Sequence, residues 1–275
     1  KNIIDKENTN GEVKGVIVQF GGQTPLRIAN KLKEYGYKIL GTSFDAIDIS
    51  EDRERFQKLI EKVGLKQPKS DISLGTKELI SKSSKLNFPI LLRPSYVLGG
   101  RMMEKMNTLE DVQSYIDQNY WALENNVILI DEFLKEAKEV DVDILRDKDG
   151  NTMIAGIMEH IEEAGIHSGD SACCIPPFSL SEKVIESIKA FSINLSQELN
   201  TIGLMNIQYA IKGEDIFILE ANPRASRTIP FLAKAIGIPF IKIAAELITG
   251  ETLTNEQINF KPESLSYYAI KEAVS

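Results

Sequence analysis

Cysteine and histidine are scarce in this chain of 275 residues, which has two of each. The cysteines, Cys173 and Cys174, are adjacent. That spacing suits neither an ordinary disulfide nor a zinc knuckle, so they read as reduced thiols. His160 and His167 have acids nearby at Glu159 and Asp170. No nucleophile elbow accompanies them and no ligand pair has zinc spacing, which argues against a Ser-His-Asp hydrolase and a zinc enzyme. There is no Walker P-loop and no complete G-x-G-x-x-G after a strand. No apolar run approaches the roughly 20 residues that span a bilayer, and the polar start from Lys1 to Gly11 lacks a signal-peptide core. Positive charge is also short. The formal net charge is -8 and the pI about 5.1, so the surface repels nucleic-acid backbones and anionic lipid. The expectation from these absences is a cytoplasmic protein without nucleic-acid or membrane partners.

With 43% hydrophobic and 26% charged residues, the chain has the balance of a globular protein of one large domain or two modest ones. It lacks an initiator Met, and residues 267–274 look like a structured segment that stops at Ser275, so a fragment of a longer protein is expected. Residues 16–20 form a short apolar run followed by Gly21-Gly22. Pro25 then suits a first helical turn before a helix over 26–35, and 37–40 supplies a second strand. Together these make one βαβ unit of a parallel sheet. Residues 50–63 begin with Ser50 as N-cap and two early acids, and they set Phe56, Leu59, Ile60 and Val63 at helical spacing. Further elements are an amphipathic helix near 77–85, a strand over 89–92 ending in Arg93-Pro94, a helix over 109–118 and a buried strand over 127–130.

From there hairpins take over. Val140, Val142 and Ile144 alternate with Asp141 and Asp143, and 147–151 turns the chain into a strand over 152–158. A long helix over about 181–200 separates this hairpin from a second one, whose strands over 204–212 and 216–222 join at Gly213-Glu214-Asp215. Helices near 229–235 and 239–249 follow. No internal repeat or low-complexity segment is present. Parallel and antiparallel strands with interspersed helices argue an α/β fold, α+β mixed, of more than one lobe.

A three-residue loop at 213–215 would pair Lys212 with Ile216, setting Gln208 opposite Glu220 and Asn206 opposite Asn222 on one face. Gln208, Glu220 and Asn222 then form a cluster of hard oxygen ligands with one negative charge, which suits Mg²⁺ shared with phosphates. A two-residue loop would shift this register, and the same residues would also serve as the solvent-facing edge of a hairpin. Arg224 and Arg227 follow on a segment stiffened by Pro223, as cations for a transferring phosphoryl group or as surface arginines. Arg93 and Arg53 are further phosphate candidates, although Arg53, in the charged run 51–55, also fits a solvated helix face. Gly99-Gly100 gives either backbone N–H groups for phosphate oxygens or a simple turn.

These motifs have a familiar order. Gly21-Gly22-Gln23-Thr24-Pro25, Asp52-Arg53-Glu54-Arg55-Phe56, Arg93-Pro94-Ser95-Tyr96-Val97-Leu98-Gly99-Gly100-Arg101 and Gly165-Ile166-His167-Ser168-Gly169-Asp170-Ser171 occur in sequence. Gly203-Leu204-Met205-Asn206-Ile207-Gln208 and Glu220-Ala221-Asn222-Pro223-Arg224-Ala225-Ser226-Arg227-Thr228 extend the set. With them the chain resembles the carbamoyl phosphate synthetase large-subunit family from Val16 to about Val274. Of that family's two similar ATP-grasp halves, the tyrosine-containing Arg93 motif, His167-Ser168 and 203–206 resemble the second, which phosphorylates carbamate.

The resemblance implies an ATP-grasp fold over 49–260 with a lid at about 70–131. Before it, over 1–48, would stand the C-terminal part of a Rossmann-like pre-ATP-grasp unit, and after it, over 261–275, the start of a connection. It implies that Arg53, Arg93 and Glu139 contact the nucleotide or its phosphates, that 132–134, with Glu132 and Leu134, forms the adenine-side hinge, and that Gly165, Ile166, His167 and Ser168 line the nucleotide pocket. Gln208, Glu220 and Asn222 would hold Mg²⁺ or Mn²⁺ against ATP, with Arg224 beside Glu220 and Asn222 as the catalytic group. Glu159, His160 and Ser171 would hold a monovalent cation such as K⁺. Glu132 stands where a histidine can occur, and one extra residue lengthens the turn at 147–151.

The implied activity is ATP-dependent phosphorylation of carbamate to carbamoyl phosphate, within glutamine-dependent synthesis for pyrimidine and arginine biosynthesis. The implied partners are carbamate or a bicarbonate-derived substrate, the remaining large-subunit domains and a glutamine amidotransferase small subunit. Two rivals stand against this. An ATP-grasp ligase of the biotin-dependent carboxylase kind, acting on bicarbonate, is opposed by the motifs at 21–25 and 165–171. A nucleotide-binding module without activity is opposed by intact Gln208, Glu220, Asn222 and Arg224.

Overall fold

The computed structural model describes residues 1–94, 102–164 and 171–272. Its strands are β1 (Val16–Ile17), β2 (Ile39–Leu40), β3 (Ser70–Leu74), β4 (Ile90–Pro94), β5 (Glu104–Met106), β6 (Val127–Glu132), β7 (Lys138–Arg146), β8 (Thr152–Glu163), β9 (Cys173–Ile175), β10 (Gly203–Lys212), β11 (Asp215–Asn222) and β12 (Ala269–Lys271). They form three sheets: a parallel pair β1-β2, an antiparallel sheet in the order β3-β6-β4-β5, and an antiparallel sheet in the order β11-β10-β7-β8-β9-β12. The apolar-run pattern predicts none of β3, β5, β9 and β12, which are short or half-exposed and take their place from the strand beside them.

Helix boundaries follow the capping chemistry. The helix expected over 50–63 starts instead at Arg53, because Asp52 is extended and its carboxylate accepts from Arg55 N at 2.8 Å. Ser50 belongs to a separate helix, Phe44–Glu51, which Ser43 caps. The helix Glu182–Glu198 is capped by Ser181.

The six-stranded sheet has two unlike faces. On one, Val140, Val142, Ile144, Ile207, Tyr209 and Ile218 pack against the helices Arg53–Val63 and Glu182–Glu198, whose Phe56, Ile60, Ile188 and Leu195 complete a core. The other face changes character along the strands. At one end Ala137, Ala164 and Ala210 pack with Leu134, Phe217 and Leu219. At the other, Leu145, Met153 and Leu204 pack under the helices Ile229–Ile236 and Phe240–Thr249. Between these apolar ends strand alternation sets Asp141, Asp143, Asn206, Gln208, Glu220 and Asn222.

The β10-β11 loop differs from expectation. Lys212 pairs with Asp215, so the loop has two residues, Gly213-Glu214. A loop of that length would misalign the polar residues, but a bulge restores them: Tyr209 pairs with Ile218, whereas Gln208 pairs with Glu220, leaving Leu219 as the extra residue. Asn206 then faces Asn222, as expected.

The β7-β8 turn is built on Asp147, a buried carboxylate. It accepts from the backbone N–H groups of Asp149, Asn151 and Leu253 and from the Asn151 side chain at 2.9–3.0 Å. Burial opposes its charge, but the donors together hold its pKa below the usual carboxylate value. Asp147→Ala is expected to cost roughly 2–4 kcal/mol of stability at neutral pH, because it strands the buried N–H of Leu253 and the turn amides. The difference should shrink as the pH falls through the folded-state pKa, since a depressed carboxylate stabilises while it is ionised. Urea midpoints of both proteins at neutral and acid pH measure this.

Candidate active site

The second face of the six-stranded sheet and the four-stranded sheet enclose a cleft of about 1410 Å³. Arg53, Arg93, Glu132, Leu134, Glu139, Gln208, Glu220, Asn222 and Arg224 all line it. Residues far apart in sequence are thus brought to one space. Gly165, Ile166, His167 and Ser168 lie outside the described residues, as does the Gly99-Gly100 turn.

At the end of β11, Asn222 Nδ2 donates to Glu220 Oε1 at 2.8 Å, and Arg224 donates to Asn222 Oδ1 at 3.3 Å. Gln208 stands across the ladder from Glu220. Three oxygen-bearing side chains therefore line the cleft together beside a guanidinium. Burial lowers the Arg224 pKa, against the pull of Glu220. Glu51, which also lines the cleft, interacts electrostatically with this guanidinium. Burial raises its pKa, while Arg27 and Arg224 pull it down.

Beside these groups runs a buried polar network centred on Asp141 and Asp143, which the sequence reading does not assign to the site. Asp143 Oδ2 accepts from the Ser226 and Thr228 hydroxyls, both at 2.9 Å, and its Oδ1 accepts from Asn206 Nδ2 at 3.1 Å. Asp141 Oδ2 lies 2.8 Å from His160 Nε2. Burial and the neighbouring Asp141 push the Asp143 pKa up to about 7, and its three side-chain donors pull against them. For His160, burial lowers the pKa, but the bond to Asp141 and the charges of Asp141 and Glu139 leave it raised. The available signal was the pattern itself, since acids on a strand without a solvent face must be answered by buried partners.

At the opposite end of the cleft Leu134, Ala164, Ala210 and Leu219 form an apolar slot of small side chains. Glu132, at the entrance, accepts from the backbone and side chain of Asn87, both at 2.9 Å. Arg53 reaches Asp71 O at 3.5 Å, and Arg93 pairs with Asp131 at 2.6 Å. Two of the residues expected to hold a monovalent cation are turned apart. Glu159 and His160 are consecutive on β8 and turn to opposite sides, Glu159 to the Phe178 and Ser179 amides and His160 to Asp141. Ser171 O accepts from Lys271 Nζ at 2.8 Å. The second carboxylate near His160 is Glu139, at 3.9 Å. Among the described residues no helix is long and apolar enough to cross a membrane.

Comparison with known proteins gives a consistent picture. Residues 52–256 match the family described as carbamoyl-phosphate synthase L chain, ATP binding domain, and residues 1–49 match the carbamoyl phosphate synthase preATP-grasp domain. The chain is 49% identical over 266 residues to the carbamoyl phosphate synthase large chain of Xanthomonas axonopodis pv. citri, covering 95% of this chain and 24% of that one. It is 51% identical over 265 residues to that of Archaeoglobus fulgidus, covering 96% and 24%. The chain thus spans about a quarter of the length of the curated relatives it matches. In fold it is similar to the biotin carboxylase domain of Hydrogenobacter thermophilus 2-oxoglutarate carboxylase, with TM-score 0.74, 17% identity and coverage of 98% and 60%. It is likewise similar to Campylobacter jejuni biotin carboxylase, with TM-score 0.74, 15% identity and coverage of 94% and 58%. The mixed α/β fold is therefore of the ATP-grasp kind.

Asp143 makes stability depend on pH. Its folded pKa of about 7 lies above the ordinary 3.8, so between these values the native state holds a proton that the unfolded chain has released. Stability is expected to fall as the pH rises across that window and to level off above it. Asp143→Asn, which carries no titrating group, should flatten this slope. Denaturant midpoints of both proteins on either side of the window provide the check, and parallel curves would assign the slope to other groups.

Proposed function

We propose, for a chain that belongs to the family of carbamoyl phosphate synthase large-chain ATP-binding domains, that its cleft transfers the γ-phosphoryl group of ATP to carbamate. The observation that carries this reading is the convergence of Gln208, Glu220 and Asn222 beside Arg224. These are hard, uncharged or singly charged oxygen donors, a set that fits magnesium or manganese. Gln208, Glu220 and Asn222 would hold the ion, which when bound supplies charge neutralisation at the β- and γ-phosphates.

The chain's own residues do the rest. The slot of Leu134, Ala164, Ala210 and Leu219 takes the flat adenine, with Glu132 at its edge. Arg53 and Arg93 meet phosphates, and Arg224 steadies the acceptor or the transferring group. Carbamate is already an anion, so no general base is needed. One of its oxygens forms the bond to the γ-phosphorus as the bond to the β,γ-bridging oxygen breaks, and ADP leaves. The obstacle is repulsion between two anions, which positioning and fixed positive charge overcome.

We read residues 1–48 as the end of a pre-ATP-grasp unit and 49–260 as the ATP-grasp domain. Residues 70–131 act as a lid that keeps water from carbamate. The motifs favour the second, carbamoyl phosphate-forming half of a cytoplasmic enzyme serving pyrimidine and arginine biosynthesis. Its ammonia would come from a glutamine amidotransferase subunit, and its carbamate from the remaining large-subunit domains.

The test is the reverse reaction, ATP formed from ADP and carbamoyl phosphate with Mg²⁺. Glu220→Ala is expected to lower this rate at least about a hundredfold, the size of loss seen when a charge-stabilising group is removed. A near-normal rate in the variant would remove Glu220 from the metal site. Absence of ATP from the unmodified chain, with Mg·ADP still bound, would leave a nucleotide-binding module.

A further inference from the structure

Arg224 is anchored almost wholly to its own stretch of chain. Its guanidinium donates to Ala225 O at 3.1 Å and to Asn222 Oδ1 at 3.3 Å, and its buried Nε has no hydrogen-bond partner. Whatever fixes the backbone of 222–225 therefore fixes where the guanidinium points. That backbone is held from outside the sheet. Gln19, wholly buried, lies just after β1 in the N-terminal unit. Its Nε2 donates toward Pro223 O at 3.0 Å, and its main-chain oxygen accepts from Ala225 N at 2.9 Å. Gln19 thus brackets the residue between them.

The bracket is itself braced. Gln19 Nε2 also lies 3.1 Å from Thr42 Oγ1 and 3.3 Å from Leu204 O, and Thr42 N donates to Gln19 Oε1 at 3.3 Å. Thr42 in turn bonds both the N–H and the carbonyl of Ile202, at 3.0 and 3.1 Å. Space for the amide depends on Gly41, where a Cβ would stand 2.2 Å from Gln19 Oε1 and where φ is +87°. A buried amide surrounded by this many partners has one orientation, and Gln19 is not among the residues that line the cleft.

We propose that Gln19 is a positioning residue for Arg224, so that the N-terminal unit sets the aim of the cation on the acceptor side of the cleft. Gln19 touches no substrate and acts through the Pro223–Ala225 backbone. The inference rests on the reading of the cleft as a phosphoryl-transfer site with an anionic acceptor. It adds a reason for the N-terminal unit to be fused to the domain.

The experiment uses the whole chain with Gln19→Met, which keeps length without donors, and Gln19→Asn, which keeps the amide but falls short of Pro223. Arg224→Ala and the double variant Gln19→Met/Arg224→Ala complete the set. Calorimetry measures the affinity for Mg·ADP and, with Mg·ADP bound, for inorganic phosphate as the anion probe. ATP formation from carbamoyl phosphate is followed alongside, and denaturation midpoints report folding. Phosphate affinity is expected to weaken at least about tenfold in Gln19→Met, with a rise in KM for carbamoyl phosphate, because small misplacements of a positioning group are costly. Mg·ADP affinity should be unchanged, Gln19→Asn should be intermediate, and Gln19→Met should add nothing to Arg224→Ala.

Unchanged phosphate binding in a folded Gln19 variant, an equal loss of Mg·ADP affinity, or additive effects would overturn the proposal. Arg224-dependent phosphate binding that weakens in Gln19→Met, without ATP from carbamoyl phosphate, would support it while removing carbamate as the acceptor. No Arg224-dependent phosphate binding in the unmodified chain would overturn both.

Discussion

Asp141 and Asp143 share one face of β7 and are almost completely removed from water. Burial and the neighbouring Asp141 raise the cost of ionising Asp143, and both buried side chains must be answered by polar partners. Most of the site follows from that constraint. Asn206 is drawn between the two, His160 pairs with Asp141, and the hydroxyls of Ser226 and Thr228 turn inward to Asp143. Because Ser226 also accepts from Ile229 N at 3.0 Å, the same bonds that satisfy Asp143 start the next helix. The turn from β11 to that helix carries Arg224 and Arg227. The buried carboxylate therefore fixes the far side of a turn whose near side is fixed by Gln19.

The bulge at Leu219 shows how two demands on one hairpin are reconciled. A two-residue loop closes β10-β11 tightly, but regular pairing from that loop would set Gln208 opposite Leu219 and turn Glu220 to the other face. One extra residue moves Glu220 into register with Gln208 and brings Asn222 opposite Asn206. It also lets Leu219 and Glu220, neighbours in sequence, both line the cleft. The apolar slot and the proposed oxygen ligands thus draw on the same short strand.

Much of this arrangement could be read from residue order. Gln208, Glu220 and Asn222 were legible because strand periodicity and a short loop bring them together, and Arg224 because it follows Pro223. The fold class was legible from the switch between helical and alternating patterns, and the helices from their apolar spacing, although Ser50 was read as the cap that Asp52 provides. What the sequence concealed was long-range. The register came out as expected although its loop did not, since a bulge leaves no mark in composition. Asp141 and Asp143 looked like the polar face of a hairpin because burial of that face depends on a turn 83 residues from Asp143. Gln19 sat unnoticed inside an apolar run, its partners 204 residues away. Glu159, His160 and Ser171 were grouped on the family resemblance, whereas Glu159 and His160, being consecutive on β8, point to opposite sides.

The charge of the cleft bears on how it can hold a nucleotide. Among the described residues nine carboxylates and six cationic side chains line it, and Arg93 is already paired with Asp131. A polyanion entering such a space meets more negative than positive charge, in a protein whose net charge is also negative. Arginines alone do not offset this, so affinity for a nucleoside triphosphate must depend on cations brought with it. On the proposed reading of the cleft, Glu220 would repel bare phosphates and attract the metal complex of ATP. The same balance explains the rigid mounting of Arg224. Where fixed positive charge is scarce, each guanidinium has to be placed closely, and the two clamps on its backbone provide that placement.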